Sequence, residues 1–240
     1  MVLQQLSGCP VYQFRPRISF GNDAMMAPGA HGVRVPQGLS ATSVREPTFV
    51  DPATMVSLLR SSGSGHGSRL GVVHGLTRAE FAVTFPNPSQ QWRQVRSSAA
   101  FPPWQFQGGD VLLDTKVTVY VLEGDRPQAD DDLTRQIFAI IFEHELLHVL
   151  DEIDIVTRWM AAEACKDDKV LKYLTNAQPV DDAMFRSWFR GDGFSNWLRD
   201  GLWAPEHNRR KDIRDAAHEY AALQTRIDDL RIQITNRPSQ

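Results

Sequence analysis

Two runs of residues decide the fold: Lys116-Val-Thr-Val-Tyr-Val-Leu-Glu123 and, shortly after it, Ile137-Phe-Ala-Ile-Ile-Phe-Glu-His-Glu-Leu-Leu-His148. In the first, Val117, Val119 and Val121 alternate with Thr118, Tyr120 and Leu122, the period of two that sends successive side chains to opposite faces of a strand. In the second the apolar positions take helical spacing, at Ile137, Ile140, Ile141 and Leu147, and continue through Leu150, Ile153 and Met160. Asp130, Asp131 and Asp132 stand just before it, offering N-cap oxygens and the negative charge that a helix N-terminus favours. Working outward, Arg69–His74, Glu80–Phe85 and Asp110–Asp114 are further short β-rich runs, the second closed by Pro86 and Pro88. Downstream the chain reads helical. Phe185, Trp188, Phe189, Phe194, Trp197 and Trp203 crowd one segment, and a last helix is expected from Asp212 to Ile234. In that helix Ile213, Ala216, Tyr220, Leu223, Ile227, Leu230 and Ile234 alternate spacings of three and four, a heptad seam. Strands followed by helices predict an α+β fold: a small antiparallel or mixed sheet, then a helical half with the Ile137–His148 helix and a long C-terminal helix.

The chain has 240 residues, 42% hydrophobic and 23% charged, enough for one large domain or two small ones with a buried core. Residues 1–69 read as a loop-rich N-terminal arm and 70–240 as the main domain. Within the arm, Met25–Gly32 and Ser61–Ser68 are loop in composition, while Asp51-Pro52 opens a short helix through Met55, Val56, Leu58 and Leu59. The Gly-rich Ser61–Ser68 run contains His66 but no GxxxxGK[ST], so it is not read as a phosphate loop. A net charge of −3 argues against a whole-protein attraction to nucleic acid or anionic lipid, and no apolar run reaches membrane-spanning length. Met1–Pro10 lacks the basic and apolar regions of a Sec signal, which leaves a cytoplasmic protein or one exported by a specialised secretion system. Cys9 and Cys165 make neither a disulfide framework nor a thiolate zinc cage, and their small number favours a reducing compartment.

His144-Glu-Leu-Leu-His148 is an HExxH motif inside the apolar helix. Residues four apart share a helical face, so both imidazoles can reach one metal ion. Glu145 stands beside them as a base that can take a proton from a metal-activated water. Burying two histidines and two glutamates, Glu143 included, in so apolar a helix is costly unless something satisfies them. The bland reading is a solvated helix face that happens to carry His and Glu at this spacing.

HExxH on a helix preceded by a sheet resembles the zincin metallopeptidases. The resemblance covers residues 110–160 and implies Zn²⁺ held by His144 and His148, Glu145 as general base and acid, and a protein or peptide substrate laid along an edge strand, with 116–123 as the candidate strand. In size and motif position the chain is also similar to small zinc-protease effectors exported by type III secretion. A third ligand is then needed, and several residues compete for it. Glu219, in Ala217-His-Glu-Tyr-Ala-Ala222, is favoured, since a glutamate from a neighbouring helix is one zincin solution. Asp154 follows, at the position of the last ligand in HExxHxxGxxH-type patterns, although Asp151 replaces the glycine that lets the chain turn back. Glu163, His218 and His207 stay open, and Glu152 fits a partner to a histidine N–H better than a ligand. Tyr220 or Tyr120 can supply an oxyanion-stabilising hydroxyl. The alternative function is a non-enzymatic partner-binding component of a phage or secretion assembly. It would bind through the arm and a coiled-coil partner on 212–234, with a vestigial or structural metal site.

Overall fold

The computed structural model describes residues 12–61, 73–85, 88–98 and 100–237, and the fold is α+β. Six strands are present among them: β1 Tyr12–Phe20, β2 Thr48–Val50, β3 Gly75–Thr84, β4 Trp92–Gln94, β5 Trp104–Phe106 and β6 Gly109–Leu122. β6 is the organising strand, paired with β1, β2 and β3, while β4 and β5 form a separate antiparallel pair. β2 runs parallel to the end of β6, with Thr48 opposite Tyr120 and Val50 opposite Leu122. Alternation along β6 is as the sequence requires. Val111, Leu113, Val117 and Val121 are buried and belong to one face.

The division expected at residue 69 is not the one the structure has. One compact unit takes Glu80–Thr115, Ile153–Asn208 and residues up to Ser19; the other takes Phe20–Ala79, Lys116–Glu152 and Arg209–Gln240. The stretch read as a loop-rich arm contributes β1, β2 and α1 (Pro52–Ser61), because its prolines and glycines punctuate short elements that join a sheet built mainly by later residues. Asp51 caps α1 as its sequence predicts, accepting from the amides of Ala53 and Thr54. Most of Ser61–Ser68 and the start of the Arg69–His74 run lie outside the described residues.

The first unit is held by an aromatic core. Trp92, Phe106, Phe185, Phe189 and Phe194 are buried together with Val111, Leu113, Ile155 and Met160. Trp92 lies 4.4 Å from Phe189 and 5.1 Å from Phe185 between ring centroids. Trp188, Trp197 and Trp203 are partly buried against the same cluster, so these rings serve packing. The short helices α2 (Pro88–Gln91), α4 (Met160–Ala164), α5 (Asp182–Met184) and α6 (Gly193–Asn196) belong here, with wider π-type turns continuing several of them. Cys165 is disulfide-bonded.

The second unit carries the long helix α3 (Asp132–Asp154), capped by Asp131, which accepts from the amides of Leu133 and Thr134. Ile137, Phe138, Ile141, Phe142, Leu146 and Val149 form its buried face. The expected long C-terminal helix is present as the last helix, but it begins at Ala217 rather than Asp212, after a break that parts it from the helix before. α7 spans Ala204–Arg214 and α8 spans Ala217–Thr235, with Asp215 and Ala216 between them and Ala216 in an extended conformation (ψ 133°). Ile213, before the break, is 57% exposed, whereas Ile227 on α8 is buried. The apolar seam therefore works only from Tyr220 onward, and it is turned into its own unit. No helix among the described residues is long and apolar enough to cross a membrane.

Candidate metal centre

α3 brings His144 and His148 to one face one turn apart, as the i, i+4 spacing demands. The third member of the group is Asp215, from the break between α7 and α8. His144 Nε2 and His148 Nε2 stand 3.3 Å apart, and Asp215 Oδ1 lies 3.2 Å from the first and 3.1 Å from the second. Three donors each about 2.0–2.2 Å from one tetrahedral ion would be about 3.3–3.5 Å apart, close to this triangle. Two imidazole nitrogens and a carboxylate oxygen are also the donor set zinc accepts, so the residues fit the ion.

Asp215 is placed by its neighbour. Arg214 donates through Nε and Nη2 to the two carboxylate oxygens of Asp151, at 2.8 and 3.1 Å. Asp151 lies on α3 one turn beyond His148, so this bidentate pair ties the end of α7 to the histidine helix. The next residue then falls over the two rings. Burial of Asp215 opposes its charge, but hydrogen bonds to His144 and His148 prevail and hold its carboxyl far below the usual carboxylate range. For His144, burial disfavours the cation, yet the Asp215 hydrogen bond and the charges of Glu145, Asp215 and Glu219 raise its pKa above the ordinary histidine value.

Glu145 sits beside this group, 5% exposed. The Thr77 hydroxyl donates to its Oε2 at 2.7 Å, which fixes one oxygen of the carboxylate. Gly75 lets β3 pass directly over it: a β-carbon there would stand 2.7 Å from Glu145 Oε1 and 2.9 Å from Ile141 Cγ2. A cavity of about 310 Å³ opens here, lined by His144, Glu145, His148, Asp215 and Tyr220 together with the apolar Leu59, Val73 and Leu76. Burial, with the charges of Glu145 and Asp215, pushes the Tyr220 phenol up to about 12. A smaller void of about 30 Å³ adjoins the same residues and reaches His74.

His74 belongs to a second, buried polar group. Its Nδ1 donates to Asp125 Oδ2 at 2.8 Å, and Arg231 from α8 donates to Asp125 Oδ1 at 2.6 Å. Both His74 and Asp125 are under 5% exposed. The network fastens α8 to the residues just before β3 and just after β6, the frame on which Tyr220 stands.

No family model, curated protein or solved structure matches the chain.

The residues expected from sequence fall as follows. His144 and His148 are together, with Glu145 beside them. Glu219 is exposed in the first turn of α8 and stands outside the group of three, close enough for its charge to act on His144. Asp215, at the helix break four residues before that glutamate, completes the group of three that could hold a metal. α3 runs unbroken to Asp154, which pairs with Arg158 at 3.4 Å and does not turn back toward the histidines. Glu163 accepts from Lys166, and His207 stacks on Trp203; both belong to the other unit. The His218 side chain lies outside what the structure describes. Glu152 is buried on α3 but is not one of the three. The 116–123 strand is not an edge, since β6 has β2 beside Tyr120–Leu122 and the Leu122 amide donates to the His74 carbonyl. Asp215 escaped sequence reading because it is 67 residues from His148 and belongs to no local motif. The one available signal was an Asp just ahead of Ala-Ala-His-Glu, the composition of a helix start.

Proposed function

We propose that this chain is a zinc-dependent endopeptidase of zincin type. The observation that carries the reading is the triangle of His144 Nε2, His148 Nε2 and Asp215 Oδ1, with edges of 3.1–3.3 Å, set in a cavity beside Glu145. A Zn²⁺ held there would supply Lewis acidity and bring the ionisation of a water into the neutral range. Glu145 takes the proton of the attacking water and returns it to the leaving amine. Thr77 steadies Oε2 of that carboxylate, so Oε1 is the oxygen that exchanges the proton. Tyr220 is the oxyanion donor: its pKa near 12 keeps the hydroxyl protonated at neutral pH. The peptide lies along β3, which lines the cavity with Gly75, Leu76 and Thr77 and pairs with no described strand other than β6.

Elemental analysis of the purified protein beside its His148→Ala and Glu145→Gln variants tests this. About one zinc per chain is expected in the wild type, lost in His148→Ala and kept in Glu145→Gln, together with loss of peptide cleavage in both variants. A wild type without zinc would instead favour a partner-binding protein, and cleavage that survives Glu145→Gln would remove Glu145 as the base.

A further inference from the structure

The short basic run Arg209-Arg210-Lys211 on α7 reads from sequence as a solvated charge patch, and the structure separates its members. Arg210 approaches Asp151 at 3.9 Å, the carboxylate that Arg214 also holds. Lys211 does not follow them. It is half-buried and lines the cavity of about 310 Å³, and no carboxylate pairs with it among the described residues. The Asp215 amide donates to the Lys211 carbonyl at 2.8 Å, so the two residues are one helical turn apart and their side chains share a face. Lys211 therefore joins the cavity lining on the same helical face as Asp215.

We propose that Lys211 reads the substrate, selecting a peptide that presents a carboxylate next to the scissile bond, with an apolar side chain placed against Leu59, Val73 and Leu76. The inference rests on the peptidase reading. Asp215 Oδ1 is engaged by both histidines, and Glu145 Oε2 accepts from Thr77. A divalent cation in the triangle would cancel the charges of Asp215 and Glu145, which leaves Lys211 as the uncompensated charge on the cavity wall. A half-buried lysine in a cavity that also has apolar lining residues gains most from an ionised partner that enters with the ligand. The carboxylate can come from an Asp or Glu side chain or from a free C-terminus, and both present the same oxygens.

The test uses the full-length, zinc-loaded protein and matched pairs of peptides. One pair has Glu or Gln beside an apolar residue in a C-terminally amidated chain, and the other has a free or amidated C-terminus. Cleavage is followed as kcat/KM. Calorimetric binding of dipeptide hydroxamates that differ only in Glu against Gln gives a readout that needs no turnover. In one pair the acid is expected to be favoured by about tenfold or more. Lys211→Ala should bring that ratio close to one and Lys211→Glu should invert it, with zinc content at wild-type level in both variants. Zinc-loaded protein that treats acids and amides alike, or Lys211→Glu protein that keeps the acidic preference, overturns the proposal and leaves the peptidase reading standing. A wild type that holds no zinc overturns both.

Discussion

Adding a single methyl group at Gly75 should disturb the base without touching the metal ligands. The β-carbon would stand 2.7 Å from Glu145 Oε1, 2.8 Å from its Cγ and 2.9 Å from Ile141 Cγ2. Ordinary carbon contact begins near 3.5 Å, so about 0.6–0.8 Å must be found somewhere. Glu145 cannot swing freely into solvent, because it is 5% exposed and Thr77 holds Oε2. Overpacking of this kind costs about 1–3 kcal/mol. At roughly 2–4 °C per kcal/mol for a chain near this size, Gly75→Ala should lower the melting temperature by roughly 2–12 °C. A base displaced by most of an ångström should lose about tenfold to a hundredfold in kcat. His144, His148 and Asp215 are not among the atoms the methyl meets, so zinc content should be unchanged. Gly124→Ala is the control, since a β-carbon there meets nothing within 4 Å. Thermal melts, elemental zinc and cleavage of a mixed peptide library would be measured on all three proteins. A Gly75→Ala variant that melts and cleaves like wild type would mean that β3 does not pin Glu145.

The remaining expectations concern the groups around this one. Asp215→Ala should weaken zinc binding more than a hundredfold, beyond the loss typical of residues that merely support a ligand, while Glu219→Ala should keep stoichiometric zinc; competition with a chromogenic chelator reads both, and the reverse pattern would return Glu219 to the site. Asp125→Asn should destabilise the protein by about 3 kcal/mol or more in denaturant melts, because it leaves His74 and Arg231 facing a neutral amide in a buried setting. Burial works against the Asp125 carboxylate, but His74 and Arg231 hold its pKa below the ordinary value. The stability it contributes is therefore present above the unfolded carboxylate range and is lost as pH falls through the lowered folded pKa, so the variant should show a flatter acid limb. If wild type and variant lose stability in parallel on acidification, the network is not carrying that term. Tyr220→Phe should lower kcat at least tenfold with zinc and KM little changed; a larger effect on KM than on kcat would make Tyr220 a binding residue instead.

The local elements were legible in the residues themselves. Period-two alternation marked β6, the Asp before Pro52 marked α1, and the i, i+4 spacing of His144 and His148 placed two imidazoles on one face of α3. These properties depend on neighbours within a turn or a strand. The order of strands and helices was readable in the same way, and with it the α+β class. What depended on distant residues stayed hidden. The strands of the first 61 residues carry weak signals of their own and become strands because β6 offers them backbone partners. The break between α7 and α8 is not demanded by Arg214-Asp-Ala-Ala217, whose residues tolerate a helix. It is held by the Arg214–Asp151 pair across 63 residues, a contact no window of sequence contains. That break decides that Asp215, not Glu219, joins the histidines. β3, and not 116–123, lines the cavity beside Glu145. Only the folded chain brings such groups within hydrogen-bonding distance, because side-chain pairing across long loops is set by packing and not by local propensity.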